Sequence, residues 1–450
     1  AREGIQAVKG LTRENLSLPK ETLDSLPVGH GGIVEFDEKA DIYIVNTCSV
    51  TNIADKKSRQ MLHRARKMNP DGIVIAAGCY VQSAREILEQ DEAIDIVISN
   101  NKKKSITEIV NDYINVRNNE KNAPGKDHEA MEYFVDISRE TEYEEMGGHV
   151  PVGHTRAYVK IQDGCNQFCS YCIIPYVRGR IRSRSQEAIL AEVSELAEAG
   201  IKEVVLTGIH ISSYGKDKNN EGALIELIEA ISKIKGIKRI RLGSLEPGII
   251  TEEFVERISS NSKVCPHFHL SLQSGCDSVL KRMNRKYTCK QYFEKCDMLR
   301  KAYKSPALTT DVIVGFPGET EEEFAETVRY LTELNLYEMH IFKYSPRKGT
   351  VAAAMKEQVA PEIKNERSDV LLKLAHDNKT AYEAQFEGCE LEVLVEEVVK
   401  KDNKTYLRGH TERYMDILID VGDISMPESF VNSFVYVTYT QNGGNLPLLL

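Results

Sequence analysis

Ala157–Cys172, AYVKIQDGCNQFCSYC, contains the pattern from which the fold of the central region is predicted. It joins a strand-like run to three cysteines, Cys165, Cys169 and Cys172, with the spacing C-x3-C-x2-C. Three thiolates on one short loop can each bind one iron of a 4Fe-4S cluster and leave the fourth iron open to a substrate. Two plainer interpretations are three buried thiols and a zinc site completed by a distant histidine. Zinc sites usually pair C-x2-C knuckles, and the sequence has no second knuckle.

Strand-like runs that alternate with helical patterns follow this stretch. Six βα units of this kind predict a partial or open (β/α)6 barrel, whose functional loops follow the C-terminal ends of the strands. The runs after AYVKIQDG are EVVLTGI at 203–209, RIRLGSLE at 239–246, HFHLSLQSG at 267–275, ALTTDVIVGFPG at 307–318 and MHIFKYSP at 339–346.

The chain before the barrel has a β-α-β-α-β rhythm, which predicts a doubly wound α/β domain. Its strand-like runs are ADIYIVNTC at 40–48, GIVIAAGCY at 72–80 and IDIVIS at 94–99. Cys48 and Cys79 each follow such a run, and sheets of this type bind ligands beyond the carboxyl ends of their strands. The plainer interpretation of this pair is two small buried hydrophobic side chains.

The predicted fold class is therefore α/β, with a small OB-like β-barrel at the C-terminus, where short strand-like runs follow one another. The predicted domains are an N-terminal α/β domain at 1–120, a linker with one short strand at 121–154, the central barrel at 155–381 and the C-terminal β-barrel at 382–445.

Composition narrows the possible functions. Of the 450 residues, 41% are hydrophobic and 28% are charged, as in ordinary globular proteins. The net charge of −10 excludes a globally basic nucleic-acid-binding protein, so contact with RNA must come from local basic patches. No apolar run reaches the ~18 residues that span a bilayer, and no signal peptide is recognisable, so we expect a cytoplasmic protein without a membrane partner. Ten cysteines in such a chain favour metal or catalytic roles over disulfides.

The C-x3-C-x2-C loop after the first strand of a βα barrel resembles the radical S-adenosylmethionine (SAM) superfamily. The resemblance implies that Cys165, Cys169 and Cys172 bind a 4Fe-4S cluster, which chelates SAM at its open iron and splits the sulfonium bond with one electron. It also implies contacts with SAM near the ends of later strands. These are Thr207, Gly208, His210, Ser244, Glu246, Gln273, Ser274 and Asp311.

Five segments together resemble the methylthiotransferases, over residues from about 33 to 445. The segments are VNTCSVTNIADKKSRQ, AAGCYVQ, GCNQFCSYCIIPYVRGRIRSRS, SLQSGCDSVLKRMNRKYT and VGFPGETEEEF. Two further stretches, IIPYVRGRIRSR and HIFKYSPRKGTVAAAM, look most like the branch that methylthiolates C2 of N6-threonylcarbamoyladenosine in tRNA. The alternatives are the branches that act on isopentenyladenosine of tRNA or on a ribosomal protein. An alternative of another class is an RNA-binding protein whose iron–sulfur cluster is only structural.

This resemblance also implies a second 4Fe-4S cluster on the N-terminal domain, held by three cysteines. Cys48 and Cys79 match two of them. The third belongs in a Gly-Cys-Lys-x-Asn segment some three dozen residues earlier, but Cys48 is the first cysteine of the chain and the first ~32 residues do not resemble the opening of the family. Two thiolates alone bind a four-iron cluster poorly. The resemblance further implies a reductant protein, such as flavodoxin or ferredoxin, and the sulfur donor stays unknown.

Contact with RNA is predicted from clustered arginines. Arg178, Arg180, Arg182 and Arg184 alternate, and an extended backbone would put all four on one face as a row of phosphate contacts. The alternative is a solvated edge strand. Arg408 and Arg413 lie in a segment that resembles the RNA-contacting turn of a TRAM barrel, the C-terminal domain of the family. The predicted partner is the anticodon stem-loop of tRNA, where bases are unstacked.

The remaining chemistry-bearing residues carry no ligand spacing. Cys265, Cys276, Cys289, Cys296 and Cys389 are expected to be plain thiols, and His267 and His269 to be structural rather than metal ligands. Neither a G-x-G-x-x-G sequence after a strand nor a phosphate-binding P-loop is present, so dinucleotide and nucleotide binding are disfavoured.

Overall fold

The structure is a computed structural model, and it describes residues 36, 39–49, 51–120, 131–147, 155–402, 404–422, 426–440 and 443–445. The prediction about the atypical first ~32 residues lies outside this part of the chain. Contacts between residues divide the chain into two units. The first contains the N-terminal residues up to 152 with 163–184 and 345–353, and the second contains 153–162, 185–344 and the residues from 354 onward.

The first unit is built on a four-stranded parallel sheet with the strand order β1-β2-β3-β4. Its strands are β1 Ile42–Thr47, β2 Ile73–Gly78, β3 Ile96–Ile98 and β4 Met131–Tyr133. The short strand expected in the polar linker is therefore the fourth strand of this sheet. Thr47 and Gly78 are register partners at the carboxyl ends of β1 and β2, so the residues that follow them leave the same edge of the sheet.

Helices cover both faces of this sheet. The helices are α1 Asn52–Met68, α2 Cys79–Ser83, α3 Arg85–Glu89 and α4 Ile106–Glu120. On one face, Leu62 of α1 belongs to a buried cluster with Val45 of β1. On the other face, Ile106 of α4 belongs to a buried cluster with Ile44 of β1. Because neighbouring side chains of a strand point to opposite faces, both faces of β1 are buried, which confirms the predicted two-sided α/β layer.

The second unit contains six parallel strands in the order of a partial barrel. They are β5 Arg156–Asp163, β7 Glu203–Gly208, β8 Arg239–Leu242, β9 His267–His269, β10 Ala307–Val314 and β11 Glu338–Lys343. The two-residue strand β6, Arg182–Ser183, belongs to the first unit, as does Asp163 at the end of β5. Isolated parallel bridges, Ile240 with Val264 and Leu245 with Leu270, link β8 and its loop to the segment around β9. The predicted six-unit barrel is confirmed as an open sheet.

Helices follow the barrel strands in the expected alternation. They are α6 Gln186–Glu198, α7 Ala223–Ser232, α8 Glu252–Ser259, α9 Asp277–Arg282, α10 Cys289–Ala302, α11 Glu321–Leu334 and α12 Pro361–Ala384. Among the described helices, which include the long α12, there is none with enough length and apolarity to cross a membrane.

A closed five-stranded barrel follows α12, in the strand order β12-β13-β14-β16-β15. Its strands are β12 Glu390–Lys401, β13 Lys404–Thr411, β14 Asp416–Asp420, β15 Phe434–Thr440 and β16 Gly443–Asn445. Alternate residues of β12, such as Val393 and Val395, face the core of this barrel and are themselves fully buried. This barrel confirms the fold predicted for the C-terminal part of the chain.

Candidate functional site

The three-cysteine loop leaves the end of β5 through a tight backbone turn. Gly164 has a φ of +72°, and a Cβ at this position would lie 1.8 Å from the carbonyl oxygen of Arg180. Only glycine fits a left-handed position with so close an approach. The N–H of Cys165 donates to the carbonyl of Gly179 at 3.0 Å, which ties the loop to the returning chain.

The same loop presents its sulfur atoms in a setting that suits metal-bound thiolates. Cys165 is buried, whereas Cys169 and Cys172 are half-buried. The N–H of Gln167 points to Cys165 Sγ at 3.4 Å, and the N–H of Cys172 donates to the carbonyl of Cys169 at 3.0 Å. None of the ten cysteines, all of them within the described residues, forms a disulfide. Three thiols on one hydrogen-bonded loop therefore fit the ligand set of a 4Fe-4S cluster.

Cys48 and Cys79 follow β1 and β2 at the sheet edge where the sequence predicts them. Cys79 is buried and has two hydrogen-bond donors nearby. Arg178 Nε lies 3.0 Å from its Sγ, and Asn100 Nδ2 lies 3.8 Å from it. Burial alone would lower the pKa of the Arg178 guanidinium, but the Cys79 sulfur and the Asp163 carboxylate outweigh burial and raise it. The Cys79 sulfur thus lies next to a guanidinium group that also contacts Asp163.

The four alternating arginines do not form one exposed face, so this part of the prediction is wrong. Arg182 and Arg184 are only 1% and 5% exposed, and Arg178 points inward to Cys79 and Asp163. The backbone is not extended throughout this stretch, because Arg178 caps the short helix α5, Ile174–Val177, and Gly179 has a φ of +70°. The guanidinium groups turn to nearby acids instead, as Arg184 does to Glu145 at 2.6 Å. Arg180 is the exposed member of the four, and its guanidinium lies 4.6 Å from the centre of the Phe168 ring.

The residues predicted to contact SAM start at the carboxyl end of β7. Thr207 and Gly208 end this strand, and a Cβ at Gly208 would lie 2.9 Å from the carbonyl oxygen of Gln162 on β5. In the following loop, the His210 ring lies near an acid, with Nε2 at 3.2 Å from Glu246 Oε2. Burial alone would raise the pKa of Glu246, but the interaction with His210 outweighs burial and lowers it. An ionised carboxylate therefore lies at the mouth of the open barrel.

The other residues predicted to contact SAM differ in where their side chains lie. Ser244 is exposed, and its hydroxyl is 2.8 Å from that of Ser271. Gln273 has a φ of +77°, and its backbone pairs with β10. Ser274, by contrast, is fully buried, and its hydroxyl lies 3.5 Å from that of Thr327 on helix α11. The predicted contact of Ser274 with SAM does not match this position, because the side chain faces the helical layer and not the open side of the sheet.

Asp311 lies within β10 rather than at its end, and it belongs to a group that the sequence interpretation missed. His340 is its register partner on β11, and His340 Nδ1 lies 3.1 Å from Asp311 Oδ1. His269 on β9 approaches the other carboxylate oxygen, with Nε2 at 3.4 Å from Oδ2. Burial alone would raise the pKa of Asp311, but the two imidazoles hold it well below its usual range. We refer to His269, Asp311 and His340 as the His–Asp–His triad.

Arg408 and Arg413 differ in accessibility. Arg408 lies on β13 with 44% of its side chain exposed, and it pairs with Asp416 and Glu397. Arg413 is only 15% exposed, and its guanidinium donates to the carbonyls of Lys304 and Ser305. Arg413 therefore serves the packing of the C-terminal barrel against the open barrel.

Comparisons with known families agree with this arrangement. The profile of the Radical SAM superfamily matches residues 159–331, which include the three-cysteine loop and most of the open barrel. The profile of the uncharacterized protein family UPF0004 matches residues 22–99, which include Cys48 and Cys79. Among solved structures, the radical SAM methyltransferase TsrM from Kitasatospora setae covers 69% of this chain and 66% of its own, with a TM-score of 0.52 and 16% identity. This last likeness is one of fold.

Curated relatives are similar over nearly the whole length. The threonylcarbamoyladenosine tRNA methylthiotransferase MtaB of Bacillus subtilis is 39% identical over 85% of this chain and 83% of its own. The tRNA-2-methylthio-N(6)-dimethylallyladenosine synthase of Thermoanaerobacter pseudethanolicus is 36% identical over 90% of this chain and 83% of its own. With the three-cysteine loop in place at the end of β5, this similarity shows that the chain belongs to the radical SAM tRNA methylthiotransferase family.

Proposed function

We propose that this enzyme transfers a methylthio group to C2 of N6-threonylcarbamoyladenosine, beside the anticodon of tRNA. The observation that carries the proposal is the loop of Cys165, Cys169 and Cys172 after the first strand of an open six-stranded barrel. The choice of nucleoside is supported by relatives that bear this activity in their names, at up to 39% identity. The cytoplasm, where tRNA is modified, is the proposed location.

The residues of the loop fit the cofactors of the family. Cys165, Cys169 and Cys172 would hold a 4Fe-4S cluster, and the cluster with SAM supplies a one-electron cleavage that starts radical chemistry. The chain's own contribution is positional. Gly164 allows the turn, and the Cys165–Gly179 hydrogen bond keeps the loop closed around its sulfur atoms.

The open barrel supplies the proposed contacts with SAM. Thr207 and Gly208 end β7 at this edge of the sheet, and the Glu246 carboxylate can accept hydrogen bonds from an ammonium or hydroxyl group. His210 holds that carboxylate in place. Ser244 and Gln273, on the loops that follow β8 and β9, are the remaining proposed contacts with SAM.

A second cluster on the N-terminal sheet forms part of the proposal. Cys48 and Cys79 would supply two of its ligands, and Arg178 Nε, 3.0 Å from Cys79 Sγ, would donate a hydrogen bond to a ligating sulfur atom. The third ligand is not identified. A flavodoxin or ferredoxin would supply electrons, and the sulfur donor remains open.

Exposed arginines are the proposed contacts with the anticodon stem-loop. Arg180 in the first unit and Arg408 on the C-terminal barrel are accessible, whereas Arg182, Arg184 and Arg413 are not. The C-terminal barrel has the size of modules that hold RNA by stacking and electrostatics, and we assign it the role of a TRAM domain.

Mass analysis of tRNA nucleosides tests the proposal directly. In a strain that lacks this gene, we expect the methylthio form of threonylcarbamoyladenosine to disappear and to return with the wild-type gene. Cys169→Ala should fail to restore it, whereas Cys389→Ala, at an exposed cysteine outside the loop, should restore it fully. Return of the methylthio mark on isopentenyladenosine instead would assign the enzyme to that substrate, and rescue by Cys169→Ala would refute the mechanism.

A further inference from the structure

The His–Asp–His triad is assembled from three adjacent strands of the open barrel. Asp311 on β10 stands opposite His340 on β11, and Thr309, two residues earlier on the same face of β10, stands opposite His269 on β9. Side chains two residues apart in a strand share a face. The register therefore brings two imidazoles and one carboxylate together, and their ligand atoms all lie within 4.8 Å of one another.

A neighbouring hydroxyl orients one of the imidazoles. His269 Nδ1 is 2.9 Å from Thr309 Oγ1, so the ring is held with Nε2 toward Asp311. Histidines that bind metal ions usually use one ring nitrogen for the metal and the other for such a hydrogen bond, which sets the tautomer and the ring orientation. The two rings also stack, with centroids 5.6 Å apart and an interplanar angle of 21°.

The donor atoms lie close enough together to surround one small divalent ion, because they are all within 4.8 Å of one another. Ligands at about 2.0–2.1 Å in a tetrahedral site are separated from each other by about 3.3–3.4 Å. His340 Nδ1 lies 3.1 Å from Asp311 Oδ1, and His269 Nε2 lies 3.4 Å from Asp311 Oδ2, so each imidazole faces a different oxygen of the same carboxylate. Side-chain exposure is 15% for His269, 30% for Asp311 and 53% for His340, so an ion would keep a position open to solvent.

We propose that the His–Asp–His triad is a binding site for one divalent transition-metal ion of the Zn²⁺, Fe²⁺ or Co²⁺ class, distinct from the iron–sulfur ligands. Two imidazole nitrogens and one carboxylate group select such ions over Mg²⁺ and Ca²⁺, which prefer oxygen ligands throughout. Three protein ligands leave a coordination position for water or a substrate group. The proposal does not depend on which nucleoside the enzyme modifies.

Cobalt binding to the intact holoenzyme tests this site. The full chain, with its iron–sulfur clusters reconstituted and loosely held iron removed by a chelator, is dialysed anaerobically against Co²⁺. We expect one Co²⁺ per chain beyond the cluster iron. The X-ray absorption spectrum at the cobalt edge should show nitrogen and oxygen neighbours with imidazole scattering and no sulfur. A first shell that contains sulfur, or the absence of bound Co²⁺, would overturn the proposal.

Variants locate the bound ion. Asp311→Asn, His269→Gln and His340→Gln should each weaken Co²⁺ binding at least tenfold, whereas His376→Gln, at an exposed position on α12, should leave it unchanged. His340 is half exposed, so its variant is expected to keep the fold and the cluster iron even if the others do not. An unchanged affinity for Co²⁺ in a folded His340→Gln protein would refute the site.

Discussion

At the scale of single residues, the sequence interpretation is strongest for cysteines and weakest for arginines. The three cysteines of the loop lie within eight residues of each other, so their proximity follows from chain connectivity alone. Arginine side chains are long and flexible, and their direction depends on which acids and sulfur atoms lie within reach. Arg178 shows this, because it lies in a basic stretch of sequence and yet its guanidinium contacts Cys79 and Asp163.

Replacing Arg178 with lysine should alter the proposed N-terminal cluster. Lysine keeps the charge, but it lacks the planar fork with which Arg178 donates to Cys79 Sγ at 3.0 Å and to Asp163 Oδ2 at 3.3 Å. Hydrogen bonds to cluster sulfur atoms raise the reduction potential. In a Cys169→Ala background, which removes the other cluster, we expect Arg178→Lys to shift the midpoint potential to more negative values in a redox titration followed by electron paramagnetic resonance. Arg180→Lys is the control and should leave the potential unchanged. Equal potentials in all three proteins would contradict the role of Arg178.

At the scale of secondary structure elements, helix α11 illustrates how local signals and tertiary contacts combine. Thr320 and Glu323 form a capping box, in which Thr320 Oγ1 accepts from the N–H of Glu323 at 3.2 Å and Glu323 accepts from the N–H of Thr320 at 3.1 Å. The sequence TEEE predicts such a helix start. The tertiary structure adds Arg282 of helix α9, whose Nη2 donates to Glu323 Oε2 at 2.6 Å. The hydrogen bond from Arg282 lowers the pKa of Glu323 to about 2.

Glu323 should make the stability of the protein depend on pH. Because its pKa is lowered on folding, its contribution is fully present above its ordinary pKa of about 4.3 and is lost as the pH falls toward about 2. Glu323→Gln should lower the free energy of unfolding by about 1–2 kcal/mol at neutral pH, and this difference from the wild type should shrink in acid. Urea unfolding of both proteins at several pH values measures this difference in the free energy of unfolding. Glu333→Gln, at an exposed position on the same helix, should show no such trend.

At the scale of the whole molecule, buried arginines of the open barrel join it to the C-terminal barrel within the second unit. Arg241 on β8 is 4% exposed, and its guanidinium pairs with Glu203 on β7 at 2.8 Å. It also donates to the carbonyls of Thr411 at 3.3 Å and Glu412 at 2.9 Å. Arg239, also on β8, contacts the C-terminal barrel as well, because it donates to the carbonyl of His410 at 3.0 Å. The position of the C-terminal barrel thus depends on charges inside the open barrel.

Removing the negative charge of Glu203 should destabilise this junction. Glu203→Gln keeps the shape of the side chain but leaves a buried guanidinium without its counter-charge, which typically costs about 3–5 kcal/mol. We expect a lower midpoint in anaerobic denaturant unfolding. Glu392→Gln, which removes the 38%-exposed partner of Arg239, should cost about 1 kcal/mol or less. Equal effects of the two variants would mean that Glu203 does not hold the barrels together.

The fold class, the three-cysteine loop and the position of Cys48 and Cys79 after the first two strands could all be predicted from the amino-acid sequence. These features depend on apolar runs, turn residues and short spacings, which act over a few residues and are therefore visible in one dimension. Tertiary structure alone decided that Arg178, Arg182 and Arg184 point inward, that Ser274 belongs to the core, and that His269, Asp311 and His340 meet on one face. The last three residues come from three different strands, and only the register between paired strands sets which of their side chains stand opposite each other.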